Sequence, residues 1–149
     1  MDAIIAVARR HKLLVLEDSC QAMGASYKGR PVGTVGNIAA FSLNFQKTIT
    51  SGDGGLVITD DTALYERAFA FHDQGHKPLR MGLEIGKRSI LGINLRMNEL
   101  SGAFALGQLE KLDRILSMLK ERKARFKNAL VEARIPGMTF RTLNDPGEC

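Results

Sequence analysis

The sequence predicts an α/β domain, and three observations support this class. Short apolar segments at residues 13–16, 38–43 and 55–59 are typical of buried strands. Stretches with apolar residues at helical spacing precede, separate or follow them. Glycine-rich or acidic residues lie at the junctions, as turns and helix caps require. Alternation of strands and helices therefore favours an α/β fold.

The first third of the chain predicts a helix, a strand and a hairpin. Residues 3–11 are the amphipathic end of a helix, and Leu13 to Leu16 is a buried parallel strand that ends at Glu17 and Asp18. The glycine-rich segment 25–36 has the composition of a small hairpin. Asp18 thus follows a strand at the edge where open α/β sheets bind ligands.

A second strand is predicted at 38–43 and a third at 55–59, the latter following the tight turn 52–55. Either Asp60 or Asp61 can cap the next helix. Glycine in the turn allows positive φ and a close approach of the backbone to neighbouring loops.

The helix after this cap is predicted to stop near Gly75, and an irregular loop reaches Gly92. Asn98 is expected to cap one long helix that continues to about Ala133. The final residues, 138–149, could supply one more strand.

The net charge of +5 and the pI of about 9.5 raise the possibility of nucleic-acid binding. Much of the positive charge lies between residues 111 and 134, where acidic residues alternate with the basic ones. This arrangement is typical of a solvated helix face, so we do not expect nucleic acid as a partner.

The composition excludes several other classes. Apolar runs are far shorter than the roughly 20 residues of a membrane span, and no secretory signal is evident, which predicts a cytoplasmic protein without a membrane partner. Cys20 and Cys149 form no metal or disulfide motif, so no metal is expected. His11, His72 and His76 are interpreted as surface residues.

Polar clusters at 18–21, 42–47 and 52–55 follow the three predicted strands. Lys47 lies in a loop between two of these strands, where a desolvated amine has a lowered pKa and can act as a nucleophile. From its position alone, Lys47 could equally be an ordinary loop lysine.

The order and spacing of several motifs resemble those of the DegT-type (StrS-like) sugar aminotransferases. The matching segments extend over nearly the whole chain: Glu17-Asp18-Ser19-Cys20-Gln21-Ala22, Gly33, Gly36, Phe41-Ser42, Lys47, Gly52-Asp53-Gly54-Gly55, the segment 92–100 and the segment 108–112. This resemblance implies that the chain is part of the large domain of a fold type I pyridoxal-phosphate enzyme. That domain is a three-layer αβα structure with a mostly parallel sheet. Residues 1–132 would belong to that cofactor-binding domain and residues 133–149 would begin a small C-terminal domain.

The resemblance implies pyridoxal 5'-phosphate (PLP) as cofactor, with Lys47 forming its Schiff base and then moving the proton. Asp18 would pair with the pyridine nitrogen, Gln21 would approach the phenolic oxygen, and Ser42 would donate to the phosphate. Asn94 would reach the cofactor phosphate of the other subunit, which implies a homodimer with shared sites. Without the resemblance, Asp18 could be a helix cap, Ser42 a strand-end serine and Asn94 an ordinary loop residue.

The implied function is transfer of an amino group from an amino acid, commonly glutamate, to a keto sugar, usually nucleotide-linked, in sugar or polysaccharide biosynthesis. The identity of the acceptor stays open, and aminocyclitol precursors are included. One alternative is a PLP-dependent sugar dehydratase, although such relatives have histidine in place of the lysine. Another is a truncated, non-catalytic binding or regulatory protein of the same fold.

Members of this family have long segments before and after the matching region, including a phosphate loop and a side chain that stacks on the cofactor ring. We therefore expect the 149-residue chain to be a fragment. We also expect it to bind PLP weakly or not at all by itself.

Overall fold

The centre of the chain is a three-stranded sheet followed and preceded by helices. The structure is a computed structural model that describes residues 1–78 and 88–141. The strands, in chain order, are β1 (Leu16–Asp18), β2 (Ser26–Tyr27), β3 (Arg30–Pro31), β4 (Ile38–Ser42) and β5 (Gly55–Ile58). β1, β4 and β5 form the sheet in the order β1-β4-β5, and β2 pairs with β3 in the predicted hairpin. The α/β class is confirmed.

The central strand β4 pairs in two different ways. It runs parallel to β1, with Leu16 opposite Ile38, and antiparallel to β5, with Ser42 opposite Gly55. The antiparallel pairing arises because the chain turns back through the loop 43–54 without a crossover helix. The apolar pattern of the strands did not indicate this direction.

The first strand begins later than the sequence predicted. Pairing starts where Val15 and Asn37 exchange hydrogen bonds, Val15 N–H to Asn37 Oδ1 at 2.8 Å and Asn37 N–H to the Val15 carbonyl at 2.8 Å. Leu13 instead closes the preceding helix by donating to the Ala8 carbonyl at 2.9 Å. The predicted burial is also wrong, since Leu13 is 62% and Leu14 66% exposed.

Four helices complete the described residues: α1 (Asp2–Arg10), α2 (Thr62–His72), α3 (Glu99–Leu109) and α4 (Leu112–Glu132). The prediction of a single helix from Asn98 to Ala133 is therefore wrong, because the helix is interrupted at residues 110–111. There the Lys111 amide bonds the Gln108 carbonyl, three residues back, which tightens the turn and interrupts the α-helical ladder. Asn98 does cap α3, accepting from the Ser101 amide at 2.9 Å.

The buried core is small and is formed by residues of α1, β4, the loop after β4 and α2. The buried apolar side chains in the described residues are few: Ala8, Ala39, Leu43, Ile49 and Ala70. In contrast, much of the apolar surface of the sheet and of α3 and α4 is open, as at Leu16, 64% exposed, and Leu100, 86% exposed. The periodicity identified apolar faces correctly, but the described residues leave these faces exposed.

Residues 138–141 show no strand, and the rest of the predicted C-terminal strand lies outside the described residues. Most of the predicted loop between Gly75 and Gly92, residues 79–87, also lies outside them. Within the described residues, no helix is both long and apolar enough to cross a membrane. The division at residue 132 into two domains stays a prediction.

Asp61 is the residue that caps α2, because its Oδ1 accepts from the Leu64 amide at 3.0 Å. We expect Asp61→Ala to destabilise the chain by about 1 kcal/mol, the usual cost of removing such a cap. Asp60→Ala serves as the control, since the neighbouring Asp60 is not the cap. Urea unfolding measures both; equal effects from the two substitutions would contradict the assignment.

Candidate active site

The carboxyl ends of β1 and β4 lie side by side because the two strands are parallel. Asp18 is opposite Ala40 in the register, and Ser42 is two residues further along β4. Side chains two apart on a strand point to the same face, so Asp18 and Ser42 share one face and one edge of the sheet. This edge is where α/β sheets bind ligands.

Lys47 is held near this edge by a loop that is anchored at Leu43. The Leu43 amide donates to the Gly54 carbonyl, and the Leu43 carbonyl accepts from the Ser51 amide, both at 2.9 Å. The Lys47 amide then donates to the Asn44 carbonyl at 3.0 Å, which closes a turn within the loop. Lys47 is half-buried as a result.

The glycines of residues 52–55 make the return of this loop possible, as predicted. Gly52 and Gly54 have φ of +87° and +143°, values that other residues rarely adopt. A Cβ on Gly55 would lie 2.7 Å from the Phe41 carbonyl oxygen, so β5 can pair closely with β4 only with glycine there. The turn thus fixes both the loop and the edge of the sheet.

Asp18 is held in its charged form by its neighbours. Hydrogen bonds from the Cys20 side chain and from the Cys20 amide, the latter at 3.2 Å from Oδ1, lower the pKa of this carboxyl below its usual value of 3.8. The nearby positive charge of Lys47 lowers the pKa further, while desolvation opposes these effects. Asp18 is therefore a carboxylate at neutral pH.

The Cys20 thiol is a hydrogen-bond donor and is poorly suited to be a nucleophile. Its hydrogen bond to Asp18, its desolvation and the negative charge of Asp18 raise its pKa, although Lys47 opposes them. The thiol also lies 3.7 Å from the Ala40 carbonyl oxygen. This environment is that of a small packed residue and not that of a reactive thiolate.

Lys47 influences both Asp18 and Cys20, so the amine and the carboxylate lie in one electrostatic site. We expect Lys47→Met to raise the pKa of Asp18, because the charge that favours its ionised form is lost. Nuclear magnetic resonance titration of the Asp18 carboxyl carbon measures this change. Lys120→Met, on the exposed surface of α4, is the control, and an unchanged pKa of Asp18 in Lys47→Met would contradict the proximity.

The other predicted site residues lie at different places. Gln21 is exposed in the turn that directly follows β1, where the Ala22 amide donates to the Ser19 carbonyl at 3.0 Å. Asn94 forms a bridge with Asp73 just after α2, and its side chain accepts from Arg96. In the described residues its contacts are therefore with the end of α2 and not with the strand-end cluster.

The interpretation of all three histidines as surface residues is wrong for His76, which is 6% exposed, and for the half-buried His72. Hydrogen bonds to backbone carbonyls explain both positions, His76 Nδ1 to Asp73 O at 2.7 Å and His72 Nδ1 to Phe69 O at 2.6 Å. Within residues 1–78 and 88–141, no group of three or more metal-ligating side chains is present.

Glu17 has a structural role that the sequence pattern did not predict. Its carboxylate accepts from the amides of the loop after β3: Gly33 at 2.9 Å, Val35 at 2.7 Å and Gly36 at 2.5 Å. Because adjacent strand residues point to opposite faces, Glu17 anchors this loop on the face away from Asp18. The available signal was the position of Glu17, an acidic residue next to Asp18 on a strand with a buried face. A carboxylate in that position needs hydrogen-bond donors.

The fold and the site together define an α/β domain that brings an amine, an ionised carboxylate and a hydroxyl to the carboxyl edge of a parallel strand pair. The family model described as the DegT/DnrJ/EryC1/StrS aminotransferase family matches residues 1–145. The chain belongs to this family.

Two curated relatives are each 40% identical to the chain. GDP-perosamine synthase of Escherichia coli matches over 81% of this chain and 32% of its own length. L-glutamine:2-deoxy-scyllo-inosose aminotransferase of Micromonospora echinospora matches over 76% of this chain and 28% of its own length. The chain thus spans about a third of the length of these relatives.

Two solved structures show the same fold. Sugar aminotransferase CalS13 from Micromonospora echinospora is 31% identical, with a TM-score of 0.82 over 97% of this chain and 41% of that one. The E. coli GDP-4-keto-6-deoxy-D-mannose-3-dehydratase with bound hydrated PLP is 27% identical, with a TM-score of 0.75 over 85% of this chain and 36% of that one.

Proposed function

We propose that this chain supplies part of the PLP site of an aminotransferase that moves an amino group from an amino acid to a keto sugar. The observation that carries the proposal is the shared electrostatic site of Lys47 and Asp18, next to Ser42 at the carboxyl edge of β1 and β4. Membership of the aminotransferase family supports the reaction class.

The donor set fits PLP. An ionised Asp18 can pair with the protonated ring nitrogen of the cofactor, and its pKa is already low because of Cys20 and Lys47. Ser42 Oγ accepts from the Asn44 amide at 3.3 Å, which leaves its hydroxyl hydrogen available for a phosphate oxygen. Gln21 lies in the turn after Asp18 and would serve the phenolic oxygen.

When bound, PLP supplies an electron sink for a carbanion at the amino-bearing carbon. In this chain the catalytic residue would be Lys47. Its amine would first hold the cofactor and then carry a proton at Nζ as a general base. A half-buried loop position suits both tasks, because the loop that carries Lys47 is anchored at Leu43, close to the carboxyl edge of β4.

The substrates and partners are part of the same proposal. Relatives named for GDP-perosamine and for 2-deoxy-scyllo-inosose suggest a nucleotide-linked keto sugar or a cyclitol ketone as acceptor. The donor is glutamate or glutamine, and glutamine is part of the names of several relatives. A homodimer would bring Asn94 to the cofactor phosphate of the other subunit, and a cytoplasmic location stays a prediction.

A sugar dehydratase is the second candidate, because the structure with bound hydrated PLP shares this fold. Lys47 favours transamination, since the sugar dehydratases related to this family have histidine at this position. The two reactions differ in their products, because transamination forms a new bond between nitrogen and the sugar carbon. Transfer of isotopically labelled nitrogen from glutamate or glutamine to a keto sugar would separate them.

Reductive trapping tests the cofactor site on the 149-residue chain. The chain is incubated with excess PLP, reduced with borohydride and digested, and mass spectrometry locates the pyridoxyl group. Because reduction accumulates the covalent product, the experiment also detects weak binding. The proposal predicts that the label concentrates on Lys47, and a label spread over the exposed lysines of α4 would overturn it.

A further inference from the structure

A buried acidic residue, Asp73, lies just beyond the end of α2 and holds an arginine from a later segment. Asp73 is 4% exposed, and its Oδ1 is 3.0 Å from an Nη atom of Arg96. His76 faces the other carboxylate oxygen, with Nδ1 at 3.6 Å from Oδ2. Because the carboxylate is buried, this ion pair is screened less than one on the surface.

Arg96 in turn holds the side chain of Asn94. The Asn94 Oδ1 atom accepts from Arg96 Nε at 3.1 Å and from the Arg96 amide at 3.3 Å. An amide oxygen that faces two donors leaves the NH₂ group on the opposite side. The two contacts therefore define which end of Asn94 is available to a ligand.

The backbone fixes the same arrangement. Asp73 and Asn94 form an antiparallel bridge, the Gln74 amide donates to the Ile93 carbonyl at 3.1 Å, and the Leu95 amide donates to the His72 carbonyl at 2.9 Å. The segment that carries Asn94 and Arg96 is thus attached to the end of α2 on both sides of Asn94.

We infer that Asp73 is a positioning residue that acts through Arg96 to present the NH₂ end of Asn94 to a phosphate monoester. The inference rests on the proposed function, in which Asn94 contacts the cofactor phosphate of the other subunit. The ion pair holds the guanidinium, the guanidinium holds the amide oxygen, and the NH₂ group is left to donate to an anionic oxygen. Loss of Asp73 releases the guanidinium and allows the amide to rotate.

The positioning itself can be measured without cofactor. In Asp73→Asn, we expect exchange of the Arg96 Nε proton with solvent to become roughly ten-fold faster, because the ion pair at Nη that holds the guanidinium is lost and the bond from Nε to Asn94 Oδ1 opens more often. Nuclear magnetic resonance measures this rate on the 149-residue chain. Asp113→Asn removes the same charge from the exposed first turn of α4 and should leave the rate unchanged. An unchanged rate in Asp73→Asn would overturn the inference.

Binding separates positioning from a general structural role. In Asp73→Asn, measured on the assembled homodimer of the proposed function, affinity for PLP should fall roughly ten-fold while affinity for pyridoxal, which lacks the phosphate, stays the same. In an Asn94→Ala background, Asp73→Asn should have no further effect. Equal losses for both ligands, or a further loss in that background, would refute the role of Asp73.

Two outcomes keep this test distinct from the test of the proposed function. If Asp73→Asn prevents folding, Arg96→Gln removes the same contacts at a half-exposed residue. Its affinities for PLP and for pyridoxal are then compared in the same way. If unmodified chain carries no label on Lys47 but the exchange result holds, the proposed cofactor site fails and the positioning stands.

Discussion

Replacing Lys47 with alanine is expected to abolish reductive attachment of PLP to its loop. Alanine has no amine to react with the cofactor aldehyde, and the exposed lysines of α4 lie on a helix and not in the loop that follows β4. The expected loss is therefore complete at position 47, within the detection limit of peptide mass spectrometry. Lys120→Ala, on the exposed surface of α4, should leave the label at Lys47 unchanged.

Lys47→Arg separates the charge of Lys47 from its chemistry. Arginine keeps the positive charge that lowers the pKa of Asp18, but its guanidinium stays protonated and cannot act as the nucleophile. We expect the label to disappear while the pKa of Asp18 stays low. If Lys47→Ala retained the same total labelling as the unmodified chain, the assignment of Lys47 would be refuted.

Glu17→Gln is expected to destabilise the chain by about 1–3 kcal/mol, the cost of weakening hydrogen bonds to a charged acceptor and leaving backbone donors unsatisfied. The carboxylate accepts from three amides of the 33–36 loop, whereas a glutamine side chain has one acceptor oxygen and adds an NH₂ donor among the amides. Urea unfolding near neutral pH measures the difference. Glu66→Gln, exposed on α2, is the matched control and should change little.

The effect of Glu17 should also depend on pH. Desolvation raises its pKa, but the amides of Gly36, Gly33 and Val35, helped by the charge of Arg30, outweigh this effect and lower the pKa below its usual value of 4.5. An acid whose pKa is lower in the folded state stabilises the fold above the unfolded value, and this contribution is lost as the pH falls through the folded value.

The difference in stability between the unmodified chain and Glu17→Gln should therefore be greatest above about pH 4.5 and shrink in more acidic solution. Unfolding curves at several pH values test this sign. A difference that grew on acidification, or one equal to that of Glu66→Gln at neutral pH, would contradict the proposed anchor.

Local patterns predicted most of the helices, strands and caps correctly. The hairpin, the strands near 38–43 and 55–59, and the caps Asp61 and Asn98 all depend on residues close in sequence. The break between α3 and α4 was missed because it arises from a tightened turn at Lys111, within a continuous apolar pattern. The direction of β5 was missed because a strand pattern reads the same for parallel and antiparallel pairing.

By itself, the sequence determined the α/β class and the family, and it predicted the residues proposed to hold PLP, because these depend on residue type, order and spacing. The tertiary structure decided which of those residues are neighbours. Parallel pairing of β1 with β4 brings Asp18 beside Ser42, the anchored loop brings Lys47 to Asp18, and Asp73 reaches Arg96 across the end of α2. Contacts across space depend on strand direction and loop closure, which local patterns do not specify.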